Sequence, residues 1–95
     1  MKQITLYIHH LIKQWKQKGF TPLQINQGNC DSFADELAQQ FPQGHAIWGD
    51  TLGDIDKDYI DAHCFFLYKK MFYDAECPQG VTQANQLPFY QRISK

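Results

Sequence analysis

The order of apolar and polar residues changes its period twice along the chain. At the start, Ile4, Ile8, Leu11, Ile12 and Trp15 recur at three- and four-residue steps with Lys and Gln between them. That spacing predicts a helix that buries one stripe. Gly19 stops it and Pro22 confirms the break. Residues 20–29, rich in Gln and Asn and containing Gly28, read as a polar connector. Helical spacing returns from Asp31 with Phe33, Ala34, Leu37, Ala38 and Phe41, until Pro42 and Gly44 close the run. The expectation there is a second helix of about three turns.

Strand patterns take over after it. Ala46–Trp48 is short enough to be one strand, and the acidic stretch Asp50–Asp58, with Gly49 and Gly53, reads as a turn-rich loop. The aromatic-rich runs His63–Tyr68 and Met71–Ala75 flank Lys69-Lys70, which predicts a hairpin. Lys-Lys is not the Asn-Gly pair that two-residue turns favour, so a four-residue loop is expected, and either length leaves the pairing parity unchanged. Residues whose numbers sum to 139 then lie opposite each other, so that Phe65 faces Asp74 and His63 faces Glu76. His63, Phe65, Leu67, Phe72, Asp74 and Glu76 share one face. A last strand is expected at Phe89–Ile93, beyond Pro78 and Gly80. The pattern is that of an α+β fold: an N-terminal helix, a second helix opened by Cys30, then a small antiparallel sheet.

Composition narrows what such a fold can do. Ninety-five residues, 43% hydrophobic, support one domain spanning 1–95. A domain of this size has a thin stability margin, and a homodimer that covers apolar surface would fit it. Nine basic against ten acidic residues leave a net charge of -1, without the basic field that binds nucleic acid. Lys2, Lys13, Lys16 and Lys18 sit at the solvated positions of the first helix pattern. No apolar run reaches membrane-spanning length, and the first twenty residues lack the features of a signal peptide, so a cytoplasmic, membrane-free protein is expected. Three cysteines (Cys30, Cys64, Cys77) with no C-x-x-C pair argue against a disulfide framework.

The candidate chemistry lies in Gln27-Gly28-Asn29-Cys30-Asp31-Ser32, where a glycine-containing loop delivers a cysteine to a helix start. A helix N-terminus favours the thiolate, and its unpaired N–H groups can donate to an oxyanion. Asn29, Asp31 and Ser32 also suit capping and first-turn positions. An imidazole partner is available in His63, with His45 as its rival, and Asp74 and Glu76 are both within reach to orient the ring. His9 and His10 carry no spacing signal. Cys30, His63, Cys64 and Cys77 are zinc-type ligands, but their spacings match no knuckle or ribbon, so no metal and no cofactor is expected.

The order Cys30, His63, Asp74, with the cysteine opening a helix and the others on adjacent antiparallel strands, resembles the papain-like superfamily, including its transglutaminase-like and cell-wall amidase branches. The resemblance spans roughly Gln24 to Glu76, about half the chain. It implies a papain-like core and a catalytic triad in which Cys30 is the nucleophile, His63 the general base and acid, and Asp74 the orienting group, as in a cysteine protease or amidase. It also implies an oxyanion donor shortly before the cysteine, for which Gln24, Gln27 and Asn29 stand as alternatives, as Glu76 does for Asp74. The chain lacks the aromatic residue and cysteine that flank the papain nucleophile, and it is large enough for little more than one lobe. Small amides, peptides or acyl donors therefore suit it as substrates, with hydrolysis and transfer both open. The alternative is a non-catalytic binding or adaptor module whose aromatic sheet face (Phe65, Phe66, Tyr68, Phe72, Tyr73) serves a partner or a second copy.

Overall fold

A computed structural model describes residues 2–49 and 63–93. Helix α1 (Gln3–Gln17) buries Ile4, Ile8, Leu11 and Trp15 of the stripe its periodicity predicts, together with Thr5, while Ile12 is half-buried. Gly19, at φ +96°, turns the chain out of it in a conformation that favours glycine. Two further helices follow, α2 (Pro22–Gly28) and α3 (Cys30–Gln40).

The stretch expected to be a polar connector is thus mostly α2. Its start has a local cause: Thr21 Oγ1 accepts from the Gln24 N–H at 3.2 Å, Gln24 Oε1 accepts from the Thr21 N–H at 2.9 Å, and Pro22 opens the first turn. This reciprocal box satisfies the N–H groups that would otherwise face water alone. Cys30 accordingly opens the third helix, and the break before it falls at Asn29, whose φ of -131° and ψ of 22° are neither helical nor extended.

Four antiparallel strands complete the frame in the order β1 (His45–Trp48), β2 (Cys64–Tyr68), β3 (Met71–Asp74) and β4 (Cys77–Val81). The α+β class with an N-terminal helix is therefore the observed one. Phe66 pairs with Tyr73, Leu67 with Phe72 and Tyr68 with Met71, each pair summing to 139 as hairpin parity requires. The connecting loop has two residues rather than four, because Lys69 (φ 50°) and Lys70 (φ 68°) both adopt the left-handed conformation of a type I′ turn. Strand β4 occupies a region where Pro78 and Gly80 mask a strand pattern; Gly80, at φ +81°, lies so close to Tyr73 that a Cβ there would come 2.6 Å from the ring. Phe89–Ile93, expected as a strand, belongs to helix α4 (Pro88–Ile93), with Pro88 in its first turn. The acidic stretch 50–58 lies outside the described residues.

The sheet is covered on both faces. Ile4, Ile8, Leu11 and Trp15 of α1, Ile25 of α2 and Phe33 and Leu37 of α3 pack against Phe66 and Tyr73. Phe65 instead joins Cys77, Ala84, Leu87 and Tyr90, so the C-terminal segment closes the other face. A small third cluster of Cys30, Ala34 and Cys64, with Ala46 against it, joins the start of α3 to β1 and β2.

Candidate active site

Cys30 reaches the sheet because α3 lies across β1 and β2 with its N-terminus at the end where Trp48 pairs with Cys64. The backbone N–H of Cys64 donates to Cys30 Sγ at 3.4 Å. His63 immediately precedes β2, and its carbonyl accepts from the Gly49 N–H at 2.9 Å, which ties the histidine to the end of β1. Cys30 retains 8% of its surface exposed and His63 none.

The ring Nε2 of His63 lies 2.9 Å from Asp74 Oδ2. Asp74 is itself fixed, since its Oδ1 accepts from the Glu76 N–H at 2.9 Å. The carboxylate is thus held at both oxygens, one by the ring and one by main chain. Burial disfavours a charge on His63, yet hydrogen bonds and charges from Asp74 and Cys30 outweigh it, and the imidazole pKa is raised above 6.5.

The other two thiols differ. Burial, with the nearby charges of Cys30, Asp31 and Asp35, pushes Cys64 up to about 12. Burial and the Asp74 carboxylate also raise Cys77, against a hydrogen bond involving Gly80 and the charge of Lys2. Neither is a thiolate at neutral pH.

Glu76, the alternative orienting carboxylate, faces other partners. Its Oε1 accepts from Asn26 Nδ2 at 2.8 Å and from Arg92 at 2.9 Å, and its Oε2 accepts from Arg92 at 2.7 Å. The rival histidine His45 pairs with Leu67 at the opposite end of β1 from Trp48, about 10 Å along the strand. His9 and His10 are exposed on α1.

Of the three amides considered for an oxyanion, Gln24 is exposed and its oxygen is used by Thr21 in the capping box. Gln27 is exposed on α2, whereas Asn29 is half-buried next to Cys30 and its side chain makes no capping bond. Among the described residues no group of three or more His, Cys, Asp or Glu side chains is arranged to hold a metal ion. The aromatic face considered for a partner has Phe65, Phe66 and Tyr73 in the interior, with Tyr68 and Phe72 half-buried.

One contact has no signal in the sequence. Phe89 of α4 stacks on the His63 ring at 4.1 Å between centroids and 13° between planes, and Tyr90 meets it edge-on at 5.7 Å. Comparison with known proteins gives no match: no family model, no curated protein and no solved structure matches this chain. No helix among the described residues is long and apolar enough to cross a membrane.

Proposed function

We propose that the chain is a thiol-dependent hydrolase or acyltransferase of papain-like type, acting on the carbonyl of a small amide, peptide or thioester. The observation that carries this reading is a buried imidazole whose Nε2 lies 2.9 Å from a fixed carboxylate, with Cys30 beside Asp74 among the groups that raise its pKa. With Nε2 engaged by Asp74, this reading assigns the exchange of protons with the sulfur to Nδ1.

In the first step the Cys30 thiol passes its proton to His63, and the sulfur bonds to the carbonyl carbon while the π pair moves to oxygen. In this reading the Asn29 amide and the backbone N–H groups at the α3 start donate to that oxyanion. Collapse of the adduct breaks the bond to the leaving nitrogen or sulfur, which takes the proton from His63 and leaves an acyl thioester on Cys30. Water or an acceptor amine then attacks this thioester and gives its proton to His63, which returns one to the departing Cys30 sulfur. Asp74 holds the ring in the orientation that both transfers need, and no cofactor takes part in the scheme.

Iodoacetamide labelling at about pH 6 tests the reading. Cys30 should label stoichiometrically and faster than a free thiol, and His63→Ala should remove the excess rate. Cys64 and Cys77 are held as neutral thiols and give an internal control. A Cys30 rate no greater than that of a free thiol, and indifferent to His63, overturns the proposal.

A further inference from the structure

The triad reading uses nothing C-terminal to Glu76, yet the chain beyond it returns to the site. Helix α4 is short, and its position is set by two kinds of anchor. Leu87 and Tyr90 are buried beneath the sheet with Phe65 and Cys77. Arg92 forms a bidentate pair with Glu76 at 2.7 and 2.9 Å, and the same carboxylate accepts from Asn26 of α2. Between these anchors, Phe89 lies flat on the imidazole of His63.

Flat stacking limits how far the ring can rotate about its Cβ–Cγ bond, and it lays an apolar surface over one face of the imidazole that bonds Asp74. Glu76 links the parts. Its main chain holds Asp74, and its side chain holds α2, which leads into Cys30, as well as α4, which carries Phe89.

We infer that Phe89 is a positioning residue for His63, and that the Arg92–Glu76–Asn26 bonds fix α4 so that this ring stays stacked on the imidazole. The inference rests on reading His63 as the base of Cys30. Its content is that reactivity depends on a helix outside the segment that carries the triad.

The test combines Cys30 labelling by iodoacetamide across pH with the downfield proton resonance of the His63–Asp74 hydrogen bond, read in the full-length chain. In Phe89→Leu, which keeps apolar volume and loses the planar stack, that resonance should broaden into exchange with water. The labelling rate should fall on the order of tenfold or more, because the ring is no longer held in register with the sulfur. Phe89→Tyr, which keeps the ring, should restore both. Arg92→Gln, altered at an exposed position, should move both readouts in the same direction by less.

Wild-type resonance, rate and pH profile in Phe89→Leu, with a cooperative unfolding transition, would overturn the inference. So would losses in Phe89→Leu that Phe89→Tyr shares, since a planar ring at this position would then not be what holds the imidazole. Failure of the triad reading is visible separately: wild-type Cys30 would label no faster than a free thiol, whatever residue 89 is.

Discussion

His63 has no exposed surface, so its protonation is decided by its neighbours rather than by solvent. Burial alone would push the imidazole below 6.5, and Asp74 and Cys30 reverse the sign. Asp74→Asn should therefore lower the His63 pKa, measurable by NMR titration, and reduce Cys30 labelling at neutral pH by about 10²-fold or more, since the amide no longer enforces the ring's tautomer. The raised value also links pH to stability. A group whose folded pKa exceeds its unfolded one contributes fully below the unfolded value, here about 6.5, and loses that contribution as pH rises through the folded value. Urea midpoints of the wild type should fall across that window, and the slope should shrink in Asp74→Asn. An unchanged slope in the variant would assign the pH dependence to another group.

At the scale of elements, the hairpin between β2 and β3 turns through two lysines in a conformation that costs non-glycine residues energy. Replacing Lys69-Lys70 with Asn-Gly should raise stability by about 1 kcal/mol in thermal or urea unfolding. At Gly80 the effect runs the other way. Ala there adds a strained φ to a contact with the Tyr73 ring, and should cost about 2 kcal/mol or more. These elements also show what was legible beforehand. Helices α1 and α3 and the pairing of β2 with β3 follow from periodicity and parity, because each is specified by residues near one another in sequence. That same parity puts His63 and Asp74 on one face. Helix α2 was hidden because its signal is a capping box, Thr21 with Gln24, rather than an apolar stripe. Strand β4 was hidden behind Pro78 and Gly80, and α4, six residues with two aromatic rings, carries too little periodicity to distinguish helix from strand. Phe89 and Arg92 act on residues 63 and 76, and no local pattern encodes contacts at that separation.

Across the whole molecule, a chain of this length has a stability on the order of 5–14 kcal/mol, so a single core deletion consumes much of it. Ile8 is fully buried between α1 and the sheet. Ile8→Ala should cost about 3 kcal/mol, read as a shift in the urea midpoint at unchanged slope. The Gly49–His63 bond has a further consequence at this scale. Whatever path residues 50–62 take, the chain departs and returns at one point, clamped 2.9 Å apart beside the imidazole. The cost of closing such an excursion grows only with the logarithm of its length, so doubling it with Gly-Ser residues should lower stability by about 0.6 kcal/mol. Length added between Gly49 and His63 is thus thermodynamically cheap, while the bonds that hold Asp74 and Cys30 lie elsewhere in the chain.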